Sequence, residues 1–162
     1  MAILIKSSAY DDGGVIPDKY SCFGANIQPD FMFSNAPKRT ASYALILHDI
    51  DVALDGRTED GSHWVVWNIP AAAGGIREGS LPRGAVVGRN VENRNAYLGP
   101  GAPPGERFHH YVLEVYALDG TLALPDTAGR KELLDAMEGK VLDKAAYVGR
   151  FKRSPGMERR VA

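Results

Sequence analysis

Residues 43–70 read YALILHDIDVALDGRTEDGSHWVVWNIP, and this stretch decides the fold class. It predicts two apolar strands, Tyr43–Asp51 and His63–Ile69, joined by the polar connection Val52–Ser62. Successive side chains of a strand point to opposite faces, so each strand should carry an apolar stripe on one face. The expected stripes are Tyr43, Leu45, Leu47, Asp49 and Asp51 on the first strand, and His63, Val65, Trp67 and Ile69 on the second. An unpaired buried carboxylate is costly, and the His63 imidazole is the expected partner of these carboxylates.

A third apolar strand is predicted over Phe108–Leu118, FHHYVLEVYAL. Alternation places His109 and Tyr111 at the start of its apolar stripe and sends His110 to the other face. The preceding loop, Gly99–Gly105, is rich in glycine and proline, and its exposed backbone N–H groups can cradle an anion. We therefore expect a small polar pocket at the ends of three strands. Its predicted members are Asp49, His63, His109, Tyr111 and backbone donors of the loop.

The rest of the chain carries weaker patterns. They predict strands at Ala2–Ser7 and near Val86–Val87, and a helix over Ala128–Glu138 that Thr127 caps. Val141–Val148 is interpreted as a second short helix, and the tail from Ser154, which carries Arg159 and Arg160, as frayed. The dominant pattern is antiparallel β, with helices gathered late in the chain.

Composition limits the class of protein. The chain has 162 residues, 44% of them hydrophobic, which predicts one domain, 1–162, with a substantial core. The 19 Lys and Arg nearly balance the 20 Asp and Glu, so there is no global basic field of the kind that nucleic-acid binding needs. Cys22 is the single cysteine, which rules out an internal disulfide and suggests a buried thiol. No apolar run approaches the ~20 residues that span a bilayer, so we expect a cytoplasmic protein.

The motifs, taken together and in order, resemble those of the phosphatidylethanolamine-binding proteins. They include Asp-x-Asp at Asp49–Asp51, the run HWVVWNIP at His63–Pro70, and a glycine- and proline-rich loop that contains Pro103-Pro104. His109, Tyr111 and the run VYAL at Val115–Leu118 follow. The chain is most similar to the bacterial branch, the Raf kinase inhibitor-like proteins. Ile50, Ala53 and His110 stand where the family usually has proline, proline and arginine.

The resemblance implies an antiparallel β-sandwich, with a large central sheet, a smaller sheet and peripheral C-terminal helices. It also implies a pocket for phosphate-type head groups without a cofactor or metal, and a homodimer as in the bacterial relatives. By motif match the ligand-binding residues are Asp49, His63, His109 and Tyr111, together with Gly101, Ala102 and Pro103 of the loop. An ion pair made by the family's arginine must be replaced at His110 or lost.

Four functions fit this inventory. The first is a binding protein for a small anion, whose affinity strengthens as pH falls through the histidine range near about 6.5. The second is a hydrolase with His63 or His109 as general base, although no nucleophile stands in an activating motif. The third is a metal site of Asp49, His63 and His109. The fourth is an interaction protein whose pocket regulates a partner kinase or protease, as the family name suggests.

Overall fold

The computed structural model describes residues 2–159, which form two antiparallel sheets and one α-helix. The small sheet has the order β1-β2-β5, with β1 Leu4–Lys6, β2 Phe31–Ser34 and β5 Gly75–Ile76. The large sheet has the order β6-β4-β3-β7-β8, with β3 Ser42–Asp49, β4 Gly61–Pro70, β6 Val86–Val87, β7 His109–Leu118 and β8 Val141–Phe151. The predicted fold class, a mostly β antiparallel sandwich, is therefore confirmed.

The main core lies between the two sheets. Phe31 and Phe33 of the small sheet pack in one buried cluster with Leu45 of β3 and Leu113 of β7. A second buried cluster covers the opposite face of the large sheet, where Leu133 of the helix packs with neighbouring strand residues. Both faces of the large sheet are thus covered, which explains why all eight residues of β3 are buried.

The pairing of β3 with β7 is continuous. It runs without a shift from Ser42 opposite Leu118 to Asp49 opposite Tyr111. Simple alternation therefore holds on both strands, and Tyr111, Leu113, Val115 and Ala117 share the inter-sheet core as predicted. This register places Asp49 beside the first residues of β7, which include His109 and Tyr111.

The pairing of β3 with β4 is interrupted twice, and the predicted face of β4 is partly wrong. Trp67 and Asn68 together oppose Ala44, and His63 is an extra residue between the Leu47–Trp64 and His48–Ser62 pairs. Such bulges shift the alternation of a strand by one residue. As a result Val65 and Trp67 pack in the second cluster, while Ile69 lies in the inter-sheet core. The second bulge returns His63 to the side of Tyr111, whose ring centroid is 5.2 Å away.

The C-terminal region differs from prediction in two respects. The helix α1 spans Arg130–Met137, and its N-cap is Gly129, whose N–H donates to the Glu132 side chain at 3.0 Å; Thr127 does not cap it. The second predicted helix, Val141–Val148, is instead part of β8. Pairing along β7, from His109 opposite Phe151 to Leu118 opposite Val141, satisfies its backbone groups and outweighs the local preference of its alanines.

Candidate functional site

The ends of β3 and β7 form the buried centre of the site. The Asp49 carboxylate accepts a hydrogen bond from His109 Nδ1 at 2.7 Å, and both side chains are buried. The predicted imidazole partner of Asp49 is therefore wrong, since it is His109 rather than His63. The same carboxylate accepts the Asp51 N–H at 2.9 Å. Burial and the adjacent Asp49 charge raise the pKa of the Tyr111 phenol, which stays protonated and can donate a hydrogen bond.

His63 is held by the loop that precedes β7. Its Nδ1 lies 2.8 Å from the Leu98 carbonyl oxygen, and the Leu98 N–H donates to the His63 carbonyl at 3.0 Å. A carbonyl only accepts, so Nδ1 carries the proton, and Nε2 is left as the acceptor of the neutral ring. Burial lowers the pKa of His63, and the Leu98 carbonyl and the Asp49 charge oppose this only in part. The neutral ring therefore persists to a lower pH than for an exposed histidine.

Asp51 occupies the rim rather than the buried stripe, because β3 ends at Asp49. Its carboxylate accepts hydrogen bonds of 2.7 Å from both the backbone N–H and Nδ1 of His110, and Arg107 Nη1 lies at 3.2 Å. Burial raises its pKa, but the His110 hydrogen bonds and the Arg107 charge outweigh burial and lower it overall. Arg107 and His110 are thus the partners that hold the Asp51 carboxylate at the rim.

The glycine–proline loop contributes less than predicted. Gly101 lines the cavity beside His63, and its N–H points to the Tyr111 hydroxyl at 3.3 Å. Ala102 is buried in the inter-sheet core, and Pro103, which has no N–H, is exposed. The Gly99 N–H is already engaged by Asn26 Oδ1 at 2.7 Å. Of the three loop residues expected to bind a ligand, the structure places Gly101 on the cavity wall.

Sequence reasoning missed the charged half of the cavity. The cavity has a volume of about 310 Å³ and opens to solvent. His63 and Gly101 share its wall with Leu98 and Gly99 of the same loop and with residues from three other segments. The residues from the other segments are Cys22, Phe23, Glu92, Arg153 and Arg159. Two guanidinium groups face one carboxylate there, which leaves a net positive charge.

Of the two cavity arginines, Arg153 directly precedes the tail that was expected to be frayed and Arg159 lies within it, and that expectation is wrong for residues 154–159. Arg153 lies over the Phe23 ring at 4.8 Å and donates to the Met157 carbonyl at 2.9 and 2.6 Å. Arg159 contacts the Glu92 carboxylate at 2.5 and 3.0 Å. These contacts draw the tail against the cavity mouth. Arg160, expected to fray with it, lies outside the described residues.

Cys22 is buried, as expected, and its thiol forms part of the cavity wall. Burial raises its pKa, and the charges of Arg159 and Arg153 oppose this only in part. The thiol is therefore protonated at neutral pH, and reactive thiolate chemistry is disfavoured. Its role in the wall is that of a small apolar group.

His48 lies on the opposite face of the sheet, as alternation predicted. Its ring is enclosed by Asp60 at 2.8 Å and Glu114 at 3.2 Å, and Arg130 contacts Asp60 at 2.5 Å. Burial lowers the pKa of His48, but the two carboxylates outweigh burial and raise it overall. These charges satisfy one another and tie β3 to α1, so the group is structural.

Within residues 2–159, no group of three or more His, Cys, Asp and Glu side chains is placed to hold a metal ion. At the candidate site, Asp49 and His109 direct a carboxylate oxygen and Nδ1 at each other. His63 directs its own Nδ1 at a backbone carbonyl. The arrangement favours hydrogen bonding over shared coordination.

This geometry can be compared with known proteins. Residues 6–152 match the family model described as phosphatidylethanolamine-binding protein. The chain belongs to that family. Among the relatives of this phosphatidylethanolamine-binding family member is a UPF0098 protein of Methanothermobacter thermautotrophicus, 38% identical over 92% of this chain and 98% of the relative. Another UPF0098 protein, from Pyrococcus horikoshii, is 38% identical over 91% of this chain and 75% of the relative.

Solved structures of the family agree with the fold. A phosphatidylethanolamine-binding protein homologue from Chlamydia trachomatis has a TM-score of 0.86 and 33% identity, and the match covers 94% of this chain and 98% of that one. YbcL of E. coli, described as a new member of the mammalian family, has a TM-score of 0.83 and 26% identity over 94% and 99%. The comparisons support the family and its fold, and they leave the ligand of this member open.

The location of this family member stays a prediction. In residues 2–159, no helix has the length and apolar character needed to cross a bilayer. One relative, LppC of Mycobacterium tuberculosis, is named as a proposed lipoprotein and is 33% identical over 93% of this chain and 72% of its own. The comparisons therefore do not test the expected cytoplasmic location or the expected homodimer.

Gly99 is a sensitive point of the family member's site. A Cβ at this position would overlap the Tyr20 carbonyl oxygen and lie 2.7 Å from the Ser21 carbonyl carbon, which are fixed backbone atoms. We expect Gly99→Ala to lower the free energy of unfolding by about 1–3 kcal/mol, because relieving this overlap forces the backbone of the loop to shift. Displacing the loop also moves the Leu98 carbonyl that holds His63, so the His63 ring signals should move in NMR spectra.

The matched control is Gly120→Ala. A Cβ at Gly120 meets nothing within 4 Å, and the backbone there does not need glycine. Its free energy of unfolding should stay within about 0.5 kcal/mol of the parent value. Equal stability of the two variants in urea titrations would contradict the close approach at Gly99.

Proposed function

We propose that this chain is a binding protein for small tetrahedral oxyanions of the phosphate type. The observation that carries the proposal is the cavity wall, where the guanidinium groups of Arg153 and Arg159 stand with His63 and the Gly101 backbone against the single carboxylate of Glu92. A concave site with a few convergent polar groups and net positive charge suits a small anion. Arginine is well matched to phosphate, because its planar fork donates two parallel hydrogen bonds.

The buried carboxylate does not oppose this proposal. Asp49 accepts hydrogen bonds from His109 Nδ1 and from the Asp51 N–H. It therefore acts as a partner that fixes the His109 tautomer and ring orientation, leaving Nε2 to face Arg107 Nη2 at 3.4 Å. Tyr111 is fully buried and lies behind the cavity wall, so the groups left to face an anion are His63 Nε2 and the arginines. Regulation of a partner kinase or protease stays a prediction, as does hydrolysis.

The proposal predicts a specific dependence on pH. Neutral His63 offers an acceptor at Nε2, and protonation turns that atom into a donor and adds a positive charge. Because burial lowers the pKa of His63, this gain should begin below the ordinary histidine value of about 6.5. Sulfate is the suitable probe, since its charge is constant across this range. We expect its affinity, measured by NMR titration, to rise severalfold as pH falls through the lowered pKa.

The control separates His63 from the other histidines. In His63→Gln the rise in sulfate affinity should disappear, whereas His110→Gln, which removes a half-exposed rim imidazole, should keep it. Absence of any sulfate-dependent shift at Gly101, Leu98 and His63 would refute the proposed function. Binding that is independent of pH in the parent chain would remove His63 from the anion contacts.

A further inference from the structure

We propose that Arg159 is the specificity-determining cation of this site and that Glu92 is its internal competitor, so that the pocket selects dianionic phosphate monoesters over monoanions. The inference rests on the proposed function and names its ligand class. It starts from the contact between the two side chains, which join at 2.5 and 3.0 Å inside the cavity wall. The Glu92 carboxylate occupies the Arg159 fork as the oxygens of a bound anion would.

The ion pair between Arg159 and Glu92 is weak enough for the two side chains to separate. The side chains of Arg159 and Glu92 are 48% and 31% exposed. Ion pairs at such exposure favour the closed form by no more than about fivefold, because water screens the charges and two long side chains lose freedom. An incoming anion can therefore take over Arg159 at small cost, and Glu92 can turn to solvent at the cavity mouth.

The displacement of Glu92 from Arg159 discriminates between ligands by their charge. A monoanion that displaces Glu92 replaces one negative charge beside Arg159 with another and gains little. A dianion brings a second charge, which also meets the guanidinium group of Arg153 on the same wall. One additional unit charge at contact distance near a protein surface is worth roughly a fivefold or larger gain in affinity. The site should therefore prefer a phosphate monoester to a phosphodiester of similar size.

Arg153 is held by contacts other than an ion pair with a cavity carboxylate, so we infer that Arg159 is the arginine that exchanges Glu92 for the ligand. Its guanidinium stacks over Phe23 and donates to the Met157 carbonyl, an acceptor of the tail itself. It therefore contributes a fixed positive field and holds the tail in place. The hydrogen bond from Arg159 lowers the pKa of Glu92 and, together with the Arg159 charge, outweighs burial, so the competitor is ionised at neutral pH.

The test compares methyl phosphate, a monoester, with dimethyl phosphate, a diester, by NMR titration at pH 7.5, above the second pKa of about 6 of a monoester. The parent chain should bind the monoester at least about fivefold more tightly than the diester. Glu92→Gln should strengthen binding of both esters by about two- to fivefold, since the competitor is gone. Arg159→Gln should weaken monoester binding about tenfold and abolish most of the preference.

Asp135→Asn is the control, because it breaks another exposed ion pair, with Lys131, on helix α1; it should leave both affinities unchanged. Unchanged affinity in Glu92→Gln, or a preference that survives in Arg159→Gln, would overturn the inference. If these variants behave like the parent while the parent chain binds sulfate with the pH dependence that His63→Gln abolishes, the proposed function stands and the inference alone fails. If neither ester nor sulfate binds the parent chain, the proposed function fails as well.

Discussion

Replacing Asp49 with alanine is expected to lower the free energy of unfolding by about 3–5 kcal/mol. The carboxylate is 3% exposed and holds the Nδ1 of His109, which is 5% exposed. It also accepts the Asp51 N–H and lies opposite Tyr111 in the sheet. Alanine leaves these buried donors without an acceptor, and each such orphan costs about 1–3 kcal/mol. Urea unfolding followed by circular dichroism measures the loss.

Two further variants test whether the cost comes from the Asp49–His109 pair. Glu59→Ala removes a carboxylate whose side chain is 65% exposed, and its stability should change by less than about 0.5 kcal/mol. The double variant Asp49→Ala/His109→Ala should cost less than the sum of the single variants, because the second change removes the orphaned ring. A loss below about 1 kcal/mol in Asp49→Ala would show that the pair does not stabilise the fold.

Trp67→Ala is expected to destabilise by about 3–5 kcal/mol without changing the affinity of the folded protein for sulfate. The indole is fully buried in the second cluster, to which Leu133 of α1 also belongs, and it does not line the cavity. Its Nε1 finds no hydrogen-bond partner among the described residues, so removing it offsets part of the lost packing. Urea unfolding gives the stability, and NMR titration under native conditions gives the affinity.

Trp67→Phe is the matched variant, since it keeps most of the ring and removes the unpartnered N–H; it should cost less than about 2 kcal/mol. A loss of sulfate affinity in either variant would place the indole on the side of His63, as simple alternation predicted. It would contradict the bulge at Trp67 and Asn68.

The contrast between β7 and β4 shows how far strand alternation can be trusted. On β7 the register with β3 has no shift, and the predicted meeting of His109 and Tyr111 with Asp49 is found. On β4 the same rule fails at Val65 and Trp67, because two residues of the strand oppose one of β3. His63 reaches the site only because a second bulge reverses the shift. Asn68, with φ of 57°, is the one local signal, since asparagine tolerates the left-handed region.

The predictions for the C-terminal third of the chain were wrong for a different reason. Val141–Val148 contains two alanines and charged residues, which locally favour a helix. It becomes a strand because the edge of β7 offers it a full ladder of backbone partners. Arg159 carries no local signal either, since its role depends on Glu92, which is 67 residues away in sequence. Neither the pairing of β8 with β7 nor the contact of Arg159 with Glu92 is marked by a periodicity or a motif in the local sequence.

The sequence by itself determined the sandwich, the family and the meeting of Asp49 with His109 and Tyr111 at the ends of β3 and β7. These follow from strand alternation and ordered motifs, which are properties of neighbouring residues along the chain. Only the tertiary structure decided which face His63 occupies, which imidazole Asp49 holds and which cations line the cavity. Bulges, strand partners and tail contacts arise from pairing between distant segments, and their free energies depend on what each residue meets in space rather than on what precedes it.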